Sequence, residues 1–333
     1  MHTTNKRHVL VTGAAGFLGS HISEKLLSLG HTVLGVDDFS TSTSTSQHHQ
    51  ALKSNQNYQF RELDVSEPDA FRNISHVDSI FNMACPASPP AYQKMPMHTL
   101  MTCVMGANNC VQLMQRMQER YAKDSTLHRP ILIHASTSEI YGNPQQSPQK
   151  ESYWGNVNSW GSRACYDEGK RAAEAIFWIA KNQQSLDIRL ARIFNTYGPH
   201  MSLMDGRVIT EFIRSALHYK QLPVYGNGQQ TRSLCYVDDL VVGFMSLHNL
   251  NHPIDTPVNL GNDREVTILE LARLFQNASC RHVGIKFYPL PDDDPTIRKP
   301  DLTLAKSLLN WSPKVSLESG LKLTYEWFKK NQD

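Results

Sequence analysis

The sequence has no excess of one charge, no long apolar run and no cysteine motif. Its 33 Lys and Arg nearly balance its 31 Asp and Glu, for a formal charge of +2. That balance argues against the broad basic face of a nucleic-acid or anionic-membrane binder. No stretch approaches the roughly eighteen apolar residues of a membrane span. Residues 1–8 are polar and lack the apolar core of a secretion signal. Six cysteines, at positions 85, 103, 110, 165, 235 and 280, make no Cys-x-x-Cys pair and no cluster with histidine at zinc spacing. The expectation is reduced thiols in a cytoplasmic protein and no bound metal. The fifteen histidines include one adjacent pair, His48-His49, and read as packed or solvated rings. There is no internal repeat. What remains is a chain of 333 residues, 40% apolar and 19% charged, enough to bury the core of one large domain or two joined ones.

Short β-rich runs alternate with helical stretches over the first 200 residues. Strands are predicted at His8–Thr12, Thr32–Val36, Tyr58–Leu63, Ser79–Ala84, Ile131–Ala135 and Ile188–Ile193, with long helices at Met97–Met117 and Arg163–Asn182. This alternation predicts an α/β fold, a Rossmann-type doubly wound parallel sheet covered on both faces. After Gly198-Pro199 the pattern changes. Helices are predicted at Val208–His218 and Ile268–Gln276 and short strands at Leu222–Tyr225 and Val258–Leu260. The division expected is 1–200 for a dinucleotide-binding domain and 201–333 for a smaller C-terminal α/β substrate-binding region, with room for the chain to cross back. Ser40–Ser46 is a Ser/Thr run which, with Gln47-His48-His49-Gln50 after it, reads as a surface loop. Pro289–Pro295 also reads as loop.

Gly13-Ala14-Ala15-Gly16-Phe17-Leu18-Gly19 follows a strand and opens a helix. Gly13 permits a tight turn, Gly16 lets the backbone approach a diphosphate, and Gly19 lets the helix pack on the strand, with the phosphates at the helix N-terminus. A glycine trio alone is an ordinary βα turn, but here its context is right on both sides. Asp37 ends the second strand eighteen residues after Gly19. An acid there accepts from a ribose 2′-hydroxyl and repels a 2′-phosphate, which favours NAD over NADP. Asp64-Val65, ending the third strand, falls on the adenine side of the same site.

Tyr166 and Lys170 are four apart on a helix and share a face. Phenol has a pKa near 10, so a tyrosine base needs a nearby ammonium and a nicotinamide cation to stabilise its phenolate. Ser136-Thr137-Ser138-Glu139 follows the fifth strand, at the strand end where such sheets bind ligands. A hydroxyl and a carboxylate there suit acid/base chemistry; the plain alternative is a helix cap.

The glycine loop, Ser136-Thr137-Ser138-Glu139-Ile140-Tyr141-Gly142 and Tyr166-x-x-x-Lys170 resemble the extended short-chain dehydrogenase/reductases acting on nucleotide sugars. Within them the chain is most similar to the UDP-glucuronate decarboxylases, from about Val9 to Trp311. The specific matches include Pro86-Ala87-Ser88-Pro89-Pro90, Arg163–Arg171, Ala191–Pro199, Gln230-Thr231-Arg232 and Arg298-Lys299-Pro300-Asp301. The resemblance implies retained NAD and a redox-neutral route. Tyr166 takes the sugar 4-hydroxyl proton as hydride leaves C4, the 4-keto acid loses carbon dioxide, and hydride returns to give the pentose. Lys170 holds the nicotinamide ribose, Glu139 and Ser138 assist around C5, and Arg298 binds the carboxylate or assists its loss. Related 4,6-dehydratases carry Asp-Glu where this chain has Ser138-Glu139.

The same resemblance places Phe17, Leu18, Asp38, Ala84, Thr102, Thr196 and Arg207 at the cofactor. Pro86, Ser88, Asn195, Glu211, Tyr225, Gln230 and Arg232 fall to the substrate, with Arg232 on its diphosphate. It also implies a homodimer through the two long helices. The chain departs from the family at Met101 and Cys103, where Lys-Thr-Asn is usual, at Glu211 in place of Asn, and at Cys85 in place of Ser. The alternative readings are a nucleotide-sugar 4,6-dehydratase or 4-epimerase with an altered pocket, and a non-catalytic NAD-binding protein.

Overall fold

The computed structural model describes residues 6–281, 283–290 and 297–331. The first half runs β1 (His8–Thr12), α1 (Phe17–Ser28), β2 (Thr32–Asp37), α2 (Gln47–Lys53), β3 (Tyr58–Glu62), β4 (Ser79–Asn82), α3 (Pro89–Lys94), α4 (Pro96–Lys123), β5 (Ile131–Thr137), α5 (Ala164–Gln184) and β6 (Ile188–Ile193). A single 3-10 turn, Ser138–Tyr141, follows β5. The second half runs β7 (Thr196–Tyr197), α6 (Val208–Leu217), β8 (Leu222–Tyr225), β9 (Thr231–Ser233), β10 (Cys235–Tyr236), α7 (Val237–His248), β11 (Val258–Leu260), β12 (Glu265–Thr267), α8 (Ile268–Ser279), β13 (Ile285–Tyr288), α9 (Thr303–Leu309) and α10 (Leu317–Lys330).

Seven strands form one parallel sheet in the order β11-β6-β5-β4-β1-β2-β3. Because the sheet is covered on both faces, successive residues feed opposite cores. Val9, Val11, Ile131 and Ile133 enter the core shared with α1, α7 and the C-terminal region. Leu10, Ile80 and Leu132 enter the other, under α4 and α5. The chain reverses its direction of strand addition between β1 and β4, and a doubly wound sheet opens its ligand crevice at that point.

Three expectations change. The Val258–Leu260 run, grouped by sequence with the C-terminal region, pairs with β6 as the seventh strand, so the chain does cross back. The fifth strand runs two residues further than predicted, and Ser136 and Thr137 belong to it. Gln47–Gln50 opens a helix and is not loop, because the Ser46 side chain accepts from His49 N at 3.2 Å and caps it. Of the predicted Pro289–Pro295 loop, residues 291–295 lie outside the described residues. Among the described residues no helix is long and apolar enough to cross a membrane.

One buried ion pair joins the sheet to the C-terminal half. Arg189 on β6 is 1% exposed and holds both Asp187 carboxylate oxygens at 2.8 and 2.9 Å. It also donates to the carbonyls of Leu247 and His248 at the end of α7 and of Leu250 just after it. Arg189→Ala strands the Asp187 charge and three carbonyls, and is expected to lower unfolding stability by about 3–5 kcal/mol. A shift of the urea midpoint at unchanged slope checks this.

Candidate active site

At the cofactor end, β1 runs into Gly13 at φ +64°, where a Cβ would stand 2.8 Å from Ala84 Cα. A Cβ on Gly19 would meet Gly13 O at 2.0 Å, so α1 rests on the loop backbone itself. Gly16 caps α1 with no side chain, which leaves first-turn N–H groups for a diphosphate. Asp37, at the end of β2, is buried and does more than face a ribose. Its Oδ2 accepts from Ala15 N at 3.0 Å, and its Oδ1 from Phe39 N at 2.9 Å and Ser42 Oγ at 2.8 Å. Burial raises its pKa above the ordinary carboxylate value, while those three donors oppose the rise. The carboxylate thus orders both the glycine loop and the Ser/Thr run, and its remaining lone pairs suit a ribose diol.

Phe17, Leu18, Asp38, Val65, Ala84, Thr102 and Thr196 line the same cleft, of about 1300 Å³. The Thr102 and Thr196 hydroxyls are spent on the carbonyls of His98 and Phe194. Asp64 Oδ1 accepts from Ser66 N and Oγ at 2.7 Å, and its Oδ2 lies 3.9 Å from Nδ1 of His98, which lines the cleft.

The chemical end lies beyond β5. Lys170 is 3% exposed and its Nζ donates to Ala135 O at 2.8 Å. Tyr166 stacks on Tyr92 at 5.2 Å and 9°, and Thr137, whose Oγ1 accepts from Glu139 N at 3.1 Å, lies near its phenol. Burial pushes its phenol well above the ordinary range; Cys85 adds to this, and Thr137 and Arg207 oppose it. Ser136 lines the cleft, and its Oγ donates to Glu174, itself paired with Arg192.

Glu139 sits between two guanidinium groups, 2.6 Å from Arg163 Nη2 and 2.9 Å from Arg298 Nη2. Burial alone would raise its pKa, but the charges of Arg298 and Arg163 outweigh burial and hold it below the ordinary range. Arg298 is 1% exposed, and its Nη1 also donates to Ser138 O at 3.0 Å and Gly142 O at 2.8 Å. It therefore fixes the turn carrying Ser138 and Glu139 while lining the cleft.

At the substrate end, Arg207 reaches across the cleft to Ala87 O at 2.7 Å, in the loop of Pro86 and Ser88. Glu211 is neutralised by Arg214, at 2.6 and 2.7 Å from its two oxygens. Gln230 donates to Tyr225 O at 2.7 Å, and Asn195 O accepts from Cys235 N. Pro86, Ser88, Asn195, Tyr225, Gln230 and Arg232 all line the cleft. Cys85 and Cys103 face each other at 3.3 Å, and Met101 points outward, 39% exposed.

Residues 9–261 match the model of the NAD dependent epimerase/dehydratase family. The chain belongs to that family. It is 44% identical over 326 residues to UDP-glucuronic acid decarboxylase 1 of Danio rerio, which covers 98% of this chain and 73% of that one. It is 45% identical over 321 residues to UDP-glucuronic acid decarboxylase 2 of Arabidopsis thaliana, which covers 96% and 68%. It is also similar to the solved UDP-glucuronic acid 4-epimerase of Bacillus cereus in complex with UDP-glucuronic acid and NAD, with a TM-score of 0.85, 25% identity and coverage of 97% and 99%. NAD is the cofactor of this epimerase/dehydratase, and the uncapped glycine loop and Asp37 fit it.

Two cleft residues of this epimerase/dehydratase were not singled out by sequence reasoning. Thr137 lies one position before Ser138, and the extension of β5 brings it near Tyr166. Arg163 belongs to the Arg163–Arg171 match, and its sequence signal is a cation three residues before the tyrosine. Asp167, next to Tyr166, is buried with Oδ1 unpartnered, and burial and then Glu139 raise its pKa to about 7. Between about pH 4 and 7 the folded chain then holds a proton that the unfolded chain has lost, so this group lowers stability as pH rises, by at most about 1.4 kcal/mol per unit. Asp167→Asn is expected to gain thermal midpoint on the parent between about pH 5 and 8, and a difference independent of pH would refute the assignment.

Proposed function

We propose that the chain decarboxylates UDP-glucuronate to UDP-xylose with NAD retained throughout. The observation that carries this is the charge balance around Glu139. Arg163 and Arg298 both pair with one carboxylate, Glu139, and Ser138, not a second acid, precedes it. That surplus of positive charge suits an acidic sugar on a diphosphate, and a second carboxylate at position 138 would repel it. The decarboxylase names of the relatives at 44–45% identity support the same substrate.

The protein's own groups divide the work. NAD, when bound, supplies the acceptor and donor of hydride at C4 and a positive charge beside Tyr166. Tyr166 takes the C4 hydroxyl proton, and Thr137 nearby favours its phenolate. Its raised pKa in the protein alone means that the phenolate depends on that added charge. Lys170, pinned by Ala135 O, would hold the nicotinamide ribose. Once C4 is a ketone, the C5–carboxylate bond breaks and its electron pair spreads onto that ketone. A proton then returns to C5 from solvent water on the Ser138 side, oriented by the Glu139 carboxylate that its two guanidinium partners keep ionised. Arg298 orients the sugar carboxylate, and its pairing with Glu139 keeps it from over-stabilising the ground state.

The outer faces of α4 and α5 expose Met97, Met101, Trp178 and Ile179. We read this as a homodimer interface, and the six free cysteines support a reducing, cytoplasmic setting. Light scattering at micromolar concentration is expected to give twice the chain mass, and Trp178→Glu to shift it toward one.

The purified protein incubated with UDP-glucuronate and NAD is expected to yield a UDP-pentose and carbon dioxide with no net NADH, as followed by mass spectrometry. Tyr166→Phe is expected to lose turnover by at least about 10³-fold with NAD still bound. A UDP-hexuronate product of unchanged mass would instead identify a 4-epimerase.

A further inference from the structure

Three separate segments bring ring nitrogens together away from the reacting end of the cleft. His21 and Glu24 lie three apart on α1 and so share a face. His48 lies on α2, and His200 lies just past β7 at φ +66°. One nitrogen each from His21 and His48 and one Glu24 oxygen all lie within 4.8 Å of one another.

The hydrogen bonding is what a ligand set leaves. His48 is 6% exposed, and neither ring nitrogen has a hydrogen-bond partner, although Nε2 stands 3.3 Å from Glu24 Oε2. A buried imidazole left so is costly unless something completes it. His21 Nε2 lies 3.1 Å from Pro199 O. A carbonyl only accepts, so Nε2 carries the proton and Nδ1 keeps its lone pair. Metal-binding histidines are commonly oriented by such a contact. The His200 ring backs His48 at 4.0 Å, and Trp327 backs His200 at 4.4 Å, which walls the cluster on one side. Glu24 is 64% exposed and leaves the other side open to solvent.

We propose that His21, Glu24 and His48 bind one divalent transition-metal ion, zinc by ligand type. Two imidazoles and a carboxylate with an open fourth position make a zinc set, whereas magnesium and calcium take oxygen ligands. The ion cross-links α1 to α2. Since α2 continues the Ser/Thr run whose Ser42 holds Asp37, binding stiffens the mouth of the cofactor cleft.

The test uses the full chain without a histidine tag, NAD retained, after chelator treatment and desalting. Co²⁺ is titrated while its visible d–d absorption is followed, and Zn²⁺ is then added as competitor. One Co²⁺ per chain, displaced by Zn²⁺ and with a dissociation constant of micromolar or tighter, is expected. Zn²⁺ is also expected to raise the thermal midpoint. Glu24→Gln alters an exposed side chain and keeps the fold. It and His48→Gln are each expected to weaken Co²⁺ binding at least tenfold and to lose the thermal shift. Absence of a saturable one-to-one spectrum, or equal affinity in Glu24→Gln, would overturn the site.

Discussion

A carboxylate largely withdrawn from water just past a central strand must be paired, and the rest of the site follows from how Glu139 meets that demand. Its partners come from 24 and 159 residues further along the chain. Arg163 enters just before α5, and Arg298 enters from the C-terminal region. Because Arg298 also takes the carbonyls of Ser138 and Gly142, the guanidinium that neutralises Glu139 sets the turn that presents it. The seam continues where Gln149 binds Lys299 N and Asp301 N, and where Asn259 binds the carbonyls of Gln149 and Asp301. Stability, closure of the C-terminal region and the polarity of the substrate pocket therefore share one set of contacts.

The cofactor end depends on nothing so distant. Gly13 turns at positive φ against Ala84, α1 lies on the loop through Gly19, and Asp37 is 22 residues from the Ala15 amide it holds. It is a local device, built within two strands and a helix. That is why it was legible in a glycine spacing and one acid.

The departures from the family pattern change meaning once they have neighbours. Glu211 puts a negative charge where the family has Asn, and Arg214 one helical turn on neutralises it. Met101 replaces a lysine yet points outward, so its missing charge is not missing from the cleft lining. Cys85 and Cys103 replace two polar residues with a thiol contact, and their neighbour Lys170 still finds Ala135 O.

Sequence alone determined the strand and helix series, the glycine loop, Asp37 and the Tyr166–Lys170 face. Each is written in periodicity or in spacings within one element, where a residue's surroundings follow from its own segment. Only the tertiary structure decided which strand pairs with Val258–Leu260, that Thr137 lies near Tyr166, that Asp64 turns to Ser66, and that Arg298 is a buried clasp. It likewise brought His21, Glu24 and His48 together. Those facts concern partners from different segments, and a buried charge or ring has no partner until the closing sheet removes water and leaves one group within reach.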